Sequence, residues 1–478
     1  MRKLLRILSS GPALCLTLVP VLLGVVAAVH AQEMPDLPVE LPHGYVQRKL
    51  SERLPEKPSL PPAFTIPVQP LGYSVPGVFY LGRHNRLASL DFLDEDRLLF
   101  TFQVPGLMHR RDENDAGSEE RQVRAAVLEL PDGKIESSAV WTVHDRLRYL
   151  WMLNDSHFLL RGGDSIQEGD ATLELKPALH FPGRILWLEM DPAQKFVEVN
   201  FLQLPQAHTQ PNKANDPAST QAGTTENEQK PSAKPELKPD LMVRTLDRTS
   251  GKEMLENSVG LTVPEAVDSD GYMEVEAGML SGLFEHVQLP INSVGHIQAM
   301  HNEGNEWILN LKNFSGNFKL VDRVESTCSP MSGFVSDREL LVTLCDPWGG
   351  WDVIAMSTSG NRLWEVRTSS HEMWPLLVSS AGGARLAQET VILNHPMTHG
   401  PRPLDDQNVK GQLVRVFDAA SGKLALETTA SPVLDGGGNV AISPSGRRVA
   451  VLNDGAIQVF ELPPPAALPH AVAPHPRH

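Results

Sequence analysis

A glycine-rich loop with two tryptophans carries side chains that could recognise a ligand. In CDPWGGWD, residues 345–352, Trp348 and Trp351 flank a pair of glycines. An exposed indole ring can stack on a sugar ring or anchor a protein partner, because it buries a large apolar area and keeps a polar N–H group. The alternative is that both rings fold back and seal the structure. Trp348 and Trp351 are therefore candidate binding residues, and the alternative role for both is to seal the structure.

Two histidines in a second loop have the spacing of a helical metal-binding pair. His395 and His399 are four residues apart, which would place both rings on one face of a helix. Pro396 and Pro401 make a helix unfavourable in this loop, so no metal site is predicted. The two histidines join the two tryptophans as candidate contacts of a binding loop.

Known catalytic motifs are absent from the sequence. It contains no G-x-S-x-G elbow, no S-x-x-K with companion motifs and no H-E-x-x-H helix. The run Asp268 to Gly271 resembles part of a calcium loop, but Ala266 and Ala277 fall where that loop needs its first and last ligands. No catalytic residue, cofactor-binding residue or metal ligand is therefore predicted, and the sequence favours a protein that is not an enzyme.

The N-terminus has the features of an export signal. Three cations within the first six residues precede an apolar stretch over residues 13–29, and small residues before position 32 suggest cleavage after Ala31. An uncleaved anchor is the alternative, although Pro20 and Gly24 interrupt the stretch. Residues 1–31 are predicted to be a signal peptide, no further membrane span is expected, and the mature protein is expected in the periplasm or outside the cell.

Charge and cysteine content narrow the class of partner. The formal net charge is −16, and removing the three signal-peptide cations makes it −19. Such a chain is poorly matched to nucleic acid or to an anionic membrane surface. Only Cys328 and Cys345 follow the signal, and an oxidising compartment permits a disulfide between them.

Short apolar runs separated by turn residues predict an all-β protein. One repeated unit pairs two strands around a tight polar turn, and a second pairs two strands around a glycine turn. The first unit occurs at residues 90–102, 150–162, 333–344 and 440–452, and more weakly at 376–388. The second occurs at residues 126–141, 353–366 and 413–427. Together the units make four antiparallel strands, the blade of a β-propeller.

The last repeat carries a family resemblance. SPSGRRVAVL and its companion GAIQVFEL, residues 455–462, resemble strand pairs of WD40-like and quinoprotein-dehydrogenase-like propeller repeats. The chain also resembles uncharacterised secreted bacterial propeller proteins. No Trp-Asp pair closes the third strand and no Gly-His dipeptide opens a blade, so the resemblance implies the fold alone.

The repeats predict seven blades, with six or eight as the alternatives. The five copies of the first repeated unit mark five blades. Residues 241–256 and 306–324 supply two more blades in the long gap between the second and third copies. GVFYL, residues 77–81, is the predicted N-terminal strand that closes the ring.

Four segments are assigned around and within the ring. Residues 32–75 form an extended Pro-rich lead-in, residues 76–462 the propeller, and residues 204–240 and 463–478 a disordered insert and a disordered Pro/His-rich tail.

The longer connections are expected on one face of the ring, because connections between second and third strands and between blades emerge together. This long-loop face is predicted to receive residues 103–122, 162–171, 204–240, 345–352 and 394–411. Insertions on one face of a repeat protein usually mark its binding face.

The sequence thus predicts an exported, monomeric binding module for a protein, peptide or glycan of the envelope or exterior. The alternative is a propeller enzyme, namely a hydrolase, a lyase or a quinoprotein-like oxidoreductase, with its site at the mouth of the central channel. A structural envelope component is a third possibility.

Overall fold

The computed structural model describes residues 45–75, 88–104, 109–110, 119–144, 148–203, 240–258, 290–347, 349–396, 406–434 and 436–465. The described residues belong to one compact unit. The predicted signal peptide, the body of the insert, GVFYL, most of the tail, Trp348 and His399 lie outside the described residues. Within the described residues, no helix has the length and apolar character needed to cross a membrane.

The described elements are strands and two short 3-10 helices, Gln69–Leu71 and Asp406–Asn408. Two N-terminal strands come first, β1 (Val46–Lys49) and β2 (Phe64–Pro67). Blade 1 contains β3 (Ala88–Phe92), β4 (Arg97–Gln103), the short β5 (His109–Arg110), β6 (Glu119–Glu129) and β7 (Lys134–His144). Blade 2 contains β8 (Leu150–Met152), β9 (Phe158–Gly162), β10 (Ser165–Gly169) and β11 (Lys176–His180). Blade 3 contains β12 (Arg184–Met190), β13 (Phe196–Gln203), β14 (Asp240–Asp247) and β15 (Glu253–Ser258).

The remaining blades follow the same order. Blade 4 contains β16 (Gly295–His301), β17 (Glu306–Asn313) and β18 (Phe318–Glu325). Blade 5 contains β19 (Met331–Ser336), β20 (Glu339–Cys345), β21 (Trp351–Ser357) and β22 (Arg362–Arg367). Blade 6 contains β23 (Glu372–Ser379), β24 (Arg385–Leu393), β25 (Val409–Asp418) and β26 (Lys423–Ala430). Blade 7 contains β27 (Val440–Ile442), β28 (Arg448–Asn453) and β29 (Ala456–Glu461).

The chain is therefore a seven-bladed β-propeller, and the predicted fold class and blade count are confirmed. The two blades predicted in the gap are present, since residues 241–256 fall in β14 and β15 and residues 306–324 fall in β17 and β18. In blade 4, β16 takes the place of the second strand. Ile291 forms a bridge to His296 on the edge of β16 opposite β17, which is the edge where the first strand of a blade pairs.

An N-terminal strand completes blade 7, as predicted, but it is not GVFYL. Strand β2 pairs antiparallel with β29, with Phe64 opposite Val459 and Ile66 opposite Ile457. Ile66 joins the apolar core between blades 7 and 1, which also contains Phe100 and Leu452. First and last parts of the chain thus close the ring through paired strands and buried side chains.

Residues 45–67 run across the outside of three blades and are called the belt here. Strand β1 adds to the outer edge of blade 5, parallel to β22. The Ser59 amide then donates to the Glu427 carbonyl of blade 6 (2.9 Å), and the Ala63 amide donates to the Val459 carbonyl of blade 7 (2.7 Å). The segment expected as an extended lead-in therefore contributes two strands to the propeller.

One predicted long loop is ordered as part of a blade. Residues 162–171 turn at positions 163 and 164 and continue as β10, which pairs with β9 and β11. Only Ile166 and Gly169 of β10 are fully buried, so the polar sequence SIQEG reads as a loop although it forms a strand. The prediction that this segment is a loop on the binding face was wrong.

Candidate binding cleft

A cleft opens on the long-loop face where blades 5 and 6 meet. Its volume is about 650 Å³. The belt forms one wall, the connection between β20 and β21 forms a second, and the connection between β22 and β23 forms the third. The lining residues are Lys49, Leu50, Ser51, Glu52, Asp346, Gly349, Arg367, Thr368, Ser369, Ser370 and His371.

The glycine pair of CDPWGGWD shapes the second wall. Gly349 has φ +88° and Gly350 has φ +102°, conformations that a residue with a Cβ rarely adopts. A Cβ on Gly349 would lie 2.7 Å from the Ser370 Cβ, and one on Gly350 would lie 2.7 Å from the Thr368 carbonyl oxygen. The two glycines therefore let the two connections pack closely, rather than making this loop flexible.

Trp351 is buried and does not project into the cleft. It is 7% exposed. Its amide donates to the Thr368 hydroxyl (3.0 Å), and that hydroxyl donates to the Trp351 carbonyl (3.1 Å). The buried side chain therefore fits the structural alternative raised for it from sequence, and it is not an exposed anchor. Trp348 lies outside the described residues.

His395 is exposed but stands apart from the cleft lining. Its amide donates to the Asn408 side-chain oxygen (2.7 Å), and the Asn408 side-chain amide donates back to the His395 carbonyl (3.0 Å). His399 lies outside the described residues. In the part of the chain that the structure describes, no group of three or more His, Cys, Asp or Glu side chains could hold a metal ion.

A disulfide joins Cys328 and Cys345, whose Cα atoms are 5.6 Å apart. Cys328 lies in the connection between blades 4 and 5, and Cys345 ends β20. The Cys345 amide also donates to the Ser326 hydroxyl (2.9 Å). Because Cys345 immediately precedes Asp346, the disulfide fixes one end of the second cleft wall to the neighbouring blade.

Arg367 is the centre of an ion-pair network at the third wall. Its Nε lies 2.5 Å from a Glu365 carboxylate oxygen and 3.4 Å from an Asp352 oxygen. The Tyr45 hydroxyl of the belt donates to Glu365. Burial alone would raise the pKa of Glu365, but the hydrogen bonds from Tyr45 and Arg367 outweigh it and hold that pKa below its usual value.

The pKa of Asp352 shifts in the opposite direction, because its attraction to Arg367 does not offset the effect of burial. Burial raises its pKa to about 6, Arg367 opposes that rise, and the neighbouring Glu365 and Asp346 carboxylates add to it. The carboxyl therefore changes charge close to neutral pH, immediately behind the cleft wall.

A buried ion pair supports the cleft from below. The Arg415 guanidinium donates to both oxygens of Glu372, at 2.7 Å and 3.2 Å, and both side chains are 0% exposed. Arg415 also donates to the Ser51 carbonyl of the belt (2.5 Å) and contacts Glu427 (3.2 Å). Burial raises the pKa of Glu372, and Arg415 opposes the rise. Arg415 thus ties the belt to blade 6 beneath the cleft.

A contact between a histidine and a carboxylate spans the cleft between belt and connection. His371 Nδ1 lies 3.4 Å from a Glu52 carboxylate oxygen, and the His371 amide donates to the Ser369 hydroxyl (3.1 Å). Both side chains are partly exposed, so this contact is worth little to stability and can exchange with a ligand.

A second group of carboxyls lies in blade 3. The Thr245 hydroxyl donates to Glu198 (3.2 Å), and the Trp187 indole N–H donates to Glu189 (3.1 Å). Burial raises the pKa of both carboxyls, most strongly that of Glu198, which is 0% exposed. Neither residue lines the cleft between blades 5 and 6.

Fold and site together define a seven-bladed β-propeller with a polar cleft on its long-loop face. No protein-family model matches the chain, and no curated protein matches it.

Solved structures match the chain at low sequence identity. An acylaminoacyl peptidase of Pyrococcus horikoshii has a TM-score of 0.41 and 7% identity over 80% of this chain and 52% of its own. Hydrazine synthase of Kuenenia stuttgartiensis has a TM-score of 0.38 and 11% identity over 81% and 96%. TolB of Acinetobacter baumannii has a TM-score of 0.32 and 10% identity over 76% of each chain. This chain therefore spans about half of the peptidase. Because all three TM-scores lie below 0.5, no role follows for this chain from these matches.

Proposed function

We propose that this chain is an exported, non-enzymatic binding module that receives a protein, peptide or glycan of the envelope or exterior in the cleft between blades 5 and 6. The observation that carries the proposal is the cleft itself, which lies on the face predicted to bind and is about 650 Å³ in volume. Clefts of this size accommodate a few side chains or sugar units together with a small number of oriented polar groups.

The charged groups of the cleft support binding rather than catalysis. Arg367, Glu365, Asp352 and Tyr45 all come from blade 5 or the belt, and they bond to one another. In a catalytic site such groups would instead converge on one reacting atom of a substrate rather than on one another. The hydroxyls of Ser369 and Ser370 and the rim charges are suited to hydrogen bonding with a polar ligand.

Export is supported by the N-terminal sequence and by the cysteine pair. The cationic and apolar stretches of residues 1–29 have the pattern of a signal peptide. The Cys328–Cys345 disulfide is of the kind that persists in oxidising compartments. Fractionation of cells, with mass determination of the N-terminus, tests this part of the proposal, which predicts a chain beginning at residue 32.

Affinity capture tests the binding function. The full chain lacking residues 1–31 is immobilised and incubated with an envelope extract, beside a Ser51→Trp variant that places a bulky ring at the cleft rim. Ser359→Trp is the matched control, because Ser359 is exposed in the turn between β21 and β22 on the opposite face. A component retained by the parent and by Ser359→Trp, but lost from Ser51→Trp, is expected. Capture that is identical for all three proteins contradicts the proposal.

The second candidate function is a propeller enzyme, a hydrolase, lyase or quinoprotein-like oxidoreductase. The observation in its favour is the pair of facing blade 3 carboxyls, Glu189 and Glu198, because burial raises the pKa of both and a raised pKa suits a carboxyl to act as a general acid. This function predicts turnover of an ester, glycoside or uronide substrate that is abolished in Glu198→Gln and retained in Ser51→Trp.

A further inference from the structure

The cleft walls, their ion-pair partners and the buried Arg415 ion-pair network that binds the Ser51 carbonyl together contain more carboxylates than permanent cations. Six carboxylates and three permanent cations belong to this group. The carboxylates are Glu52, Asp346, Asp352, Glu365, Glu372 and Glu427, and the cations are Lys49, Arg367 and Arg415.

Both arginines already form ion pairs with carboxylates of the protein. Arg415 is fully buried between Glu372 and Glu427. Arg367 shares one guanidinium between Glu365 and Asp352, two acidic partners. Each arginine therefore leaves about one carboxylate charge uncompensated behind the cleft.

The wall groups add to this imbalance. Asp346 and Glu52 line the cleft directly, and the partner of Glu52 is His371 rather than a permanent cation. Lys49 is the opposing cation at the end of β1; it is exposed, as Glu52 is, so solvent and salt screen both of these charges and Asp346 is the less exposed charge of the walls. The enclosed part of the cleft consequently has a negative potential.

We infer that the cleft binds a cationic side chain, the ammonium of a lysine or the guanidinium of an arginine, presented on a peptide or a protein segment. The inference rests on the proposed binding function and names the chemistry of its ligand. A cation between Asp346 and Glu52 would hydrogen-bond to carboxylate oxygens on two walls, and the peptide backbone beside it would meet the hydroxyls of Ser369 and Ser370.

Asp352 supplies a signature of such binding. The groups that face it are Arg367 and Glu365 of β22 and the nearby Asp346. Because the pKa of Asp352 is raised to about 6, its carboxyl is partly protonated at pH 5 and ionised at pH 7. A bound cation favours the ionised form, so binding releases protons near pH 6 and the affinity for a cation rises as the pH rises from 5 to 7.

Titration calorimetry with short peptides tests the inference on the full chain lacking residues 1–31. The probes are acetyl-trilysine amide, acetyl-triglutamine amide and acetyl-triglutamate amide. We expect trilysine to bind in a salt-dependent manner and the other two to bind at least about fivefold more weakly, the order of effect that a partly exposed ion pair supports. Equal affinity for trilysine and triglutamine overturns the inference.

Three variants locate the effect. Asp346→Asn should weaken trilysine binding about threefold to fivefold, whereas Asp132→Asn, an equivalent change at an exposed turn of blade 1, should leave it unchanged. Asp352→Asn should remove the pH dependence between 5 and 7 without preventing binding. Equal weakening by Asp346→Asn and Asp132→Asn, or an unchanged pH profile in Asp352→Asn, contradicts the assignment to this cleft.

Spermidine binding and the capture experiment show whether the charge assignment or the binding function is at fault. Spermidine that binds as tightly as trilysine, with the same response to Asp346→Asn, overturns the assignment to a peptide-borne cation. If capture from an envelope extract depends on the cleft while trilysine does not bind, the charge assignment is wrong and the binding function stands. If capture is independent of the cleft as well, both fail.

Discussion

Replacing Arg415 with methionine should expose how far the buried ion pair supports the region of the cleft. The variant removes the guanidinium but leaves Glu372, which is 0% exposed, without its charge partner. Breaking a buried pair in this way costs about 3–5 kcal/mol, because the remaining charge is neither hydrated nor compensated. The Ser51 carbonyl of the belt loses a hydrogen-bond donor at the same time.

The corresponding thermal shift can be estimated from the size of the propeller. At about 2.1 cal/mol/K of unfolding entropy per residue over roughly 320 described residues, a loss of about 3–5 kcal/mol lowers the melting temperature by roughly 4–7 °C. Differential scanning calorimetry of parent and Arg415→Met at pH 7.5 measures it.

A double variant and a pH series distinguish an uncompensated charge from a general packing defect. Arg415→Met with Glu372→Leu should recover most of the lost stability, since an apolar replacement of both partners removes the buried charge. Without Arg415, the pKa of Glu372 should rise further above its unfolded value. The deficit of the single variant should therefore be smaller at pH 5, where the buried carboxyl is protonated more easily, than at pH 8. A loss below about 1 kcal/mol, or a double variant no better than the single one, refutes the description of this pair.

Three further changes test the ring and the cleft walls. Gly350→Ala should lower the free energy of unfolding by about 1–3 kcal/mol, because its φ is +102° and the added Cβ would lie 2.7 Å from a carbonyl oxygen. Gly304→Ala, with φ +59° and no atom within 4 Å, should lower it by less, and equal losses in chemical denaturation contradict this prediction. Reduction of Cys328–Cys345, which are 17 residues apart, should remove about 3 kcal/mol, and an unchanged melting temperature under reductant contradicts it. Ile66→Ala should cost about 2–5 kcal/mol if β2 closes the ring, and a loss below about 0.5 kcal/mol would show that this strand is dispensable.

Most of the propeller could be predicted because its information is local. Strand pairs around glycine turns recur along the chain, and Gly360 and Gly422 do adopt positive φ in those turns. The strand β10 was missed because its sequence is polar and only its pairing with two neighbours makes it part of a sheet. The closing strand was misassigned because FTIP contains little to distinguish it before it pairs with residues almost 400 positions later.

The cleft was harder to predict because short connections and the belt build most of it. The second wall lies within CDPWGGWD, but its contribution comes from Asp346 and the glycine backbone rather than from the tryptophans. Arg367 and His371 lie in or beside a connection of ordinary length between two blades. Ser51 and Glu52 come from a segment with no strand periodicity, and only the parallel addition of β1 brings them to blade 5.

Site-specific photo-crosslinking in the exporting cell tests the central claim, binding in the cleft, most directly. A benzophenone amino acid replaces Ser370 in the third wall, and the same residue replaces Ser359 on the opposite face as the control. The account predicts a discrete adduct from position 370 that is absent from position 359 and disappears when Ser51→Trp is added. No adduct from position 370, or the same adduct from both positions, would contradict it.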